Sequence, residues 1–441
     1  MQPLNNASTA HVHLSDSELA LVELYFDHCN LVFPIFSKYA FLTSILRHSF
    51  RTAADEEGAA VRSSASAMLS LALRVHALSE SENAPSGEDR ASAYLERAVG
   101  ELNTLVLARP SMVTVQALLV TVCAMLASPD PATRASVVLA VAVRHAQSLD
   151  MHLLDTLVGI SGAERLERIR IFWCLYILDK ELGLRLGTPS LLSDDDRCVL
   201  EPRESSDDGI GLVSSDDGDT RVNVFTARQR LARIQSSVHA RLHTFKARHA
   251  PKPEKARVVE EWNVALQKWQ AAWLSDERVL AQGTWPSWAL IHVVRLHFAY
   301  FHTLLLANPL VPSDEVAISS KLREMTLKGF GANEVFIRPP LTLAHGARAT
   351  FKAAGLVRHG GLSWLMEALR FVLPAVLIIL QTTIADPYAE SAHADFERAD
   401  TWIGAFELLR SRGTVSDNTQ ESAVTPQLRK LAEQALQTAG V

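Results

Sequence analysis

Residues 164–202 read ERLERIRIFWCLYILDKELGLRLGTPSLLSDDDRCVLEP. On a helical wheel, Leu166, Ile169, Trp173, Tyr176 and Ile177 form one apolar face. Ile171, Cys174, Leu175, Leu178 and Leu182 form a second. A helix that is apolar on most faces is buried, so this segment predicts the central helix of an all-α domain. Glu164 with Arg168, and Glu181 with Arg185, are i,i+4 pairs in the favourable Glu-first order. Gly187 fits the position just past the helix end, and Pro189 prevents continuation. Asp179 falls inside the apolar region. It requires a buried partner there, and a nearby arginine is the expected one.

Outward from this helix, helical periodicity dominates and strand-like alternation is rare. Ser15 with Glu18 has capping-box spacing. It opens a helix running to His28, with Leu19, Val22, Tyr25 and Phe26 on one face. Phe33-Pro34-Ile35-Phe36 follows as an apolar turn. Residues 52–65 and 79–90 are rich in small and polar residues and read as loops. Further helices are predicted over Ala65–Ala77, Ala91–Ala108, Ser111–Ala127 and Ala132–Ser148. Residues 203–221, with five aspartates among Ser and Gly, read as a flexible acidic loop. Helical patterns return over Phe225–Arg248, Pro253–Leu274, Ser287–Ala307, Leu341–Arg358, Trp364–Thr383 and Ala389–Arg410. The expected architecture is a single large helical domain over residues 17–412. A disordered stretch, 1–16, precedes it, and a loosely ordered tail, 413–441, follows it.

The chemistry that residue spacing can reveal is sparse. The 441 residues carry a net charge of −6, which gives no general field for nucleic-acid phosphates. The four cysteines, Cys29, Cys123, Cys174 and Cys198, form no C-x-x-C pair, so zinc-finger spacing is absent. Asp194–Asp196 lack the third acidic residue of a magnesium-binding D-D-x-x-D/E run. His239 and His243 lack the adjacent glutamate of a zinc hydrolase. No nucleophile elbow, phosphate loop or dinucleotide fingerprint occurs. No catalytic, cofactor-binding or metal-ligating set is therefore expected. Trp262, Leu266, Trp269 and Trp273 form a stripe at helical spacing and are expected to be core. Lys246, Arg248, Lys252, Lys255 and Arg257 read as a solvated basic stretch that also suits a nuclear localisation signal. The longest apolar run, Phe371–Leu380, is much shorter than a membrane span and contains Pro374.

The order of several segments resembles the regulatory, or middle-homology, domain of fungal zinc-cluster transcription factors. Tyr25-Phe26-Asp27-His28 with Phe33-Pro34-Ile35-Phe36 and Phe41-Leu42 resembles that family's opening segment. Val115–Leu119 is similar to its VQALLL helix, and Leu149–His152 to its L-G-L-H turn, with Asp150 in the glycine position. In the central block, Glu167, Arg168, Arg170, Phe172, Trp173, Tyr176, Asp179 and Lys180 take the roles of a pattern that is roughly E-R-x-R-R-x-W-W-x-x-Y-x-x-D-R, with Phe172 in place of a tryptophan and Lys180 in place of the arginine. Leu186, Gly187, Pro189, Asp194–Asp196 and Pro202 match the L-G-R-P and acidic segments that follow, with Thr188 in place of the arginine. The resemblance implies a nuclear, non-catalytic transcriptional regulator. It implies action through dimerisation, contact with another transcription factor, or a small-molecule effector. It gives Arg168, Arg170, Trp173, Tyr176, Asp179, Gly187 and Pro189 mainly structural roles. The family's DNA-binding module is a six-cysteine zinc cluster, which these residues do not supply. DNA contact is thus expected to be indirect or through a further module, with no cofactor or membrane involved. The other readings that the pattern admits are an all-α small-molecule-binding protein or enzyme, and a helical scaffold.

Overall fold

A computed structural model describes residues 14–49, 56–79, 85–128, 132–153, 159–199, 201, 209–274, 277–281, 283–308, 340–357, 361–411 and 420–439. The described residues are almost entirely helical, with one two-stranded hairpin. Their contacts divide the helical chain into two compact units. The first comprises residues 1–249, 275–296 and 358–364; the second comprises 250–274, 297–357 and 365–441.

The first unit opens with α1 (Asp16–Leu24). Ser15 accepts a bond from the Glu18 N–H while the Glu18 carboxylate accepts from the Ser15 N–H, so the capping box forms. The helix loosens into a π-helical turn over Tyr25–Asn30. Then come α2 (Lys38–Ser49), α3 (Glu56–Ser79), α4 (Pro85–Gly100), α5 (Leu102–Leu107), α6 (Met112–Leu126), α7 (Ala132–Ser148) and α8 (Gly162–Leu186). Helix α3 packs on α1, α4 and α6, α6 on α7, and α7 on α8.

Residues 56–65 are helical, where a loop was expected. Alanine and glutamate are good helix formers, and Glu56 and Glu57 sit at the favourable N-terminal end of α3. The small residues that read as a linker allow close packing. Ser63 donates to the Ala98 carbonyl at 3.1 Å and Ser70 to the Ala91 carbonyl at 2.7 Å. Likewise α4 starts at Pro85, which is tolerated in a first helical turn.

Helix α8 is the centre of this unit. Ile171 to Lys180 are all buried, as are Leu182 and Leu184. Leu166, placed on an apolar face by the sequence, is 40% exposed near the helix start. Gly187 ends the helix in the left-handed region, φ 64°. A Cβ at Gly187 would meet nothing within 4 Å, so backbone strain alone penalises a side chain there. We expect Gly187→Ala to cost about 1 kcal/mol, read as a lower urea midpoint; an unchanged midpoint would remove this account of the helix stop. Asp150 is the one non-glycine residue with positive φ among those described, at 53°. Aspartate tolerates this conformation, so the turn after α7 survives without glycine.

The described part of the acidic segment is a hairpin, not a flexible loop. Strand β1 (Leu212–Ser214) pairs antiparallel with β2 (Arg221–Asn223), with Val213 opposite Val222. Ser215 donates its hydroxyl to Asp217, whose carboxylate also accepts the Asp219 N–H, so the acids organise the turn. Gly211 has φ 84°, and a Cβ there would lie 2.8 Å from the Phe225 Cβ and against the Asn223 side chain. That close approach lets the Gly211 N–H reach the Leu31 carbonyl at 2.7 Å. Residues 203–208 lie outside the described part.

Helix α9 (Val224–Val238) lies along α8. A π-helical turn, His239–His243, and the short α10 (Phe245–Arg248) follow. Helix α11 (Lys252–Trp273) starts the second unit, and α12 (Ser287–Ala307) contributes its residues from His297 onward. The unit continues with α13 (Leu341–Leu356), α14 (Gly361–Ala385) from Leu365 onward, α15 (Ala392–Ser411) and α16 (Gln420–Ala439). Trp262, Leu266 and Trp269 are buried, and Trp269 stacks on Tyr300 with centroids 5.6 Å apart, so these three residues of the stripe are core; Trp273, at the helix end, is only half-buried. Arg348 grips the buried Asp395 at 2.7 and 2.9 Å. Helix α16 lies in the tail expected to be loose. It buries Leu431, Ala432, Ala435 and Leu436, and Arg429 meets Asp400 at 2.5 Å. Two helices, Ser287–Ala307 and Trp364–Ala385, have the length and composition of a membrane span. About two-thirds of their apolar stretches are buried in the protein, 67% and 61%.

Candidate functional site

The residues singled out on α8 meet the loop that follows it. Asp179, 3% exposed, accepts the Leu191 N–H at 2.8 Å, the Leu192 N–H at 3.1 Å and the Ser190 hydroxyl at 2.5 Å. Its charged partner is Lys180, with Nζ 3.3 Å away, and not an arginine as expected. The reason is geometric. The chain turns sharply at Gly187 and Pro189, which brings residues 190–192 back over the last turns of α8, within reach of a short carboxylate. The Lys180 ammonium donates to the Ser190 hydroxyl and the Leu192 carbonyl, and lies 4.7 Å from the Tyr176 ring centroid. Burial pulls its pKa down, with Asp179 and Asp194 opposing that fall.

One turn earlier, the Tyr176 hydroxyl donates to Asp194 at 2.7 Å. Burial, reinforced by this bond, holds the phenol well above its ordinary pKa. Asp194 also accepts from Ser236 at 2.5 Å and from Arg197 Nε at 2.8 Å. Partial burial resists its ionisation, but these bonds outweigh it and the pKa falls below the usual carboxylate range. The Arg197 guanidinium lies 5.2 Å from the Trp173 ring centroid and 5.1 Å from that of Tyr176. Trp173 itself is fully buried and packs edge-on against Phe172 and Tyr176.

The remaining singled-out residues lie apart from this cluster. Arg168 pairs with Glu164 at 3.1 Å, as the spacing predicts, and Arg170 is half-buried on α8. Pro189 is exposed, and Pro202 lies outside the described residues. Glu181 does not bind Arg185. It makes a two-point contact with Arg228 of α9 at 2.6 and 3.1 Å, joining the two helices.

A second polar joint was not anticipated. The Asn30 Oδ1 accepts the Ile35 and Phe36 N–H groups, each at 3.0 Å, while its Nδ2 donates to the Phe36 carbonyl. The apolar turn is thus closed by one side chain. Gln116 of α6 donates to the Ile35 carbonyl at 2.8 Å and to Glu167 of α8 at 2.9 Å. A polar residue inside each of two otherwise apolar runs was the available signal. Asn30 precedes Leu31-Val32-Phe33, and Gln116 sits within Val115–Leu119.

This arrangement fastens backbone to backbone, and each buried charge in it is already matched. Burial pushes the Cys29 and Cys123 thiols up to about 12 and holds Cys174 well above its ordinary value, so all three are protonated and poor nucleophiles. Among the described residues no three His, Cys, Asp or Glu side chains gather as a metal site. Beside the joint, Asp195 and Asp196 face an open groove of about 710 Å³ shared with Arg144, His152 and Cys198. Opposite charges line it together, so it has no single sign to steer a ligand.

Comparison with known proteins agrees with the motif order. Residues 22–271, more than half of the chain, match the fungal specific transcription factor domain. ABC-transporter-regulating transcription factors of Aspergillus fumigatus and Aspergillus oryzae are each 26% identical over 404 residues, which is 90% of this chain and 44% of theirs. The fusaridione A cluster transcription factor of Fusarium heterosporum is 24% identical over 428 residues, 95% of this chain and 77% of that protein. The chain therefore spans less than half the length of the two Aspergillus relatives. The helical fold, the capped central helix with its returning acidic loop and these matches lead to one assignment: the chain belongs to the fungal specific transcription factor domain family.

Proposed function

We propose that this chain is the regulatory portion of a nuclear transcriptional regulator, working through protein contacts and without catalysis. The observation that carries this reading is how the family-patterned polar residues are used. Tyr176, Asp179, Lys180, Asp194 and Glu181 bind the protein's own loop and neighbouring helix. None of the five is held free for a substrate. A net charge of −6 further favours recruitment to DNA by a partner or an additional module over direct contact with phosphates. Likeness to the two Aspergillus factors makes transporter genes the first set of targets to measure.

The test joins the intact chain to an unrelated DNA-binding module with no activity of its own, in a fungal host carrying a reporter. A reproducible rise or fall in reporter transcript is expected, with the tagged chain concentrated in the nucleus. Reporter output identical to that of the module alone would overturn the regulatory reading. Sequence-specific retention of duplex DNA by the purified chain would overturn the indirect mode.

A further inference from the structure

The second unit contains a cavity of about 170 Å³ between α11, α12 and α13. Asn263, Gln267 and Gln270 line it from α11. Their spacing of four and three residues sets three amides on one helix face. Tyr300 and Thr342 supply hydroxyls from the facing helices, and Leu304 supplies an apolar wall. Glycine at position 346 keeps the cavity narrow on one side: a Cβ there would lie 3.1 Å from the Phe301 ring and 3.2 Å from Leu304, so α12 and α13 already touch.

The hydrogen bonds leave a defined set of unused groups. Tyr300 donates to Gln270 Oε1 at 2.9 Å, which orients the Gln270 amide and leaves its NH₂ available. Asn263 and Asn308 bind each other in both directions, at 2.9 and 2.8 Å, which fixes that side of the lining. Among the described residues, Gln267 and the Thr342 hydroxyl have no hydrogen-bond partner. The lining has no carboxylate, lysine or arginine; its one imidazole, His345, is exposed to solvent, and burial pushes the Tyr300 phenol up to about 12, so the phenol stays neutral. An ion entering here would lose hydration without gaining a buried, permanently charged partner. The volume is close to that of a cavity known to admit benzene, roughly 150 Å³.

We infer that this cavity binds a neutral, single-ring molecule with an amide-like edge that both donates and accepts hydrogen bonds. The three α11 amides lie at the end of the stretch matched to the family, and the rest of the lining lies beyond residue 271; the inference concerns ligand binding alone and does not rest on the transcriptional reading.

The test uses the intact chain and two matched pairs of probes, nicotinamide with nicotinate and uracil with orotate, titrated by calorimetry and ligand-observed NMR. The neutral probes are expected to bind, and each anion to bind at least about tenfold more weakly. Gln270→Leu and the exposed Gln267→Leu should each weaken nicotinamide by about fivefold or more, with circular dichroism unchanged. Gln267→Leu keeps the test sharp if Gln270→Leu disturbs the Tyr300 contact. Three results would overturn the inference: no neutral probe binding at millimolar concentration, anions binding as well as their neutral partners, or both variants binding like the parent.

Discussion

Replacing Asp179 with alanine is expected to lower the stability of the first unit by about 3–5 kcal/mol, the usual cost of stranding one partner of a buried ion pair. The Asp179 and Lys180 side chains are only 3% and 1% exposed. The substitution removes the acceptor for two backbone N–H groups, the Ser190 hydroxyl and the ammonium together. Lys180 would then be buried with hydroxyl and carbonyl acceptors but without its nearest counter-charge. Lys180→Met alone should cost less, because Asp179 keeps its three N–H and O–H donors. The double variant Asp179→Leu with Lys180→Met should cost less than Asp179→Ala, since no unmatched charge is left. Urea unfolding followed by circular dichroism measures all three. A loss within about 0.5 kcal/mol for Asp179→Ala, the range of ordinary surface changes, would show that this aspartate is not structural and would reopen its candidacy as a ligand contact.

How far the sequence could be read is clear at this same joint. The apolar periodicity of residues 164–186 gives the central helix, and Gly187 with Pro189 gives its end, because both signals are local. The need for a partner at Asp179 was also legible, since a carboxylate among Trp173, Tyr176 and Leu182 cannot stay unpaired. Its identity was not, because it depends on how a loop folds back in space. Glu181 makes the same point. Its i,i+4 pairing with Arg185 is a weak surface interaction, and a two-point contact with Arg228, brought in by packing of α9, prevails over it. The loops assigned to residues 52–65 and 203–221 gave way, over their described parts 56–65 and 209–221, for a compositional reason. Alanine, serine and aspartate serve in linkers, but they also serve in close helix packing and in tight hairpin turns. The polar joint of Asn30, Gln116 and Glu167 joins residues more than 50 positions apart, and no periodicity reports it.

Acidification from pH 7 to pH 5 is expected to cost each unit about 2 kcal/mol through one buried histidine apiece. In the first unit, burial with the added repulsion of Arg295 pulls His292 down to about 3; in the second, burial pulls His297 down to about 4. An unfolded histidine titrates near 6.5, roughly. Below that pH the unfolded chain takes up a proton that the folded chain refuses. Stability therefore falls as pH falls, beginning near 6.5 and continuing until the folded-state values are reached. Local structure explains the refusal. The His292 Nε2 is buried without a hydrogen-bond partner, so a proton placed there would find no acceptor. The His297 Nε2 lies 3.3 Å from the Thr350 hydroxyl, which donates its proton to the Gly346 carbonyl and gives no negative charge to an imidazolium. His292→Gln and His297→Gln keep a neutral polar group in place and remove the titration. Absolute stability will shift in both variants, so the useful readout is the difference in unfolding free energy between pH 7 and pH 5 within each protein. Each variant should lose about 2 kcal/mol less than the parent across that interval, and the double variant about 4 kcal/mol less. A double variant with the parent's full acid sensitivity would show that other groups set it and that these two imidazoles already accept protons in the folded state.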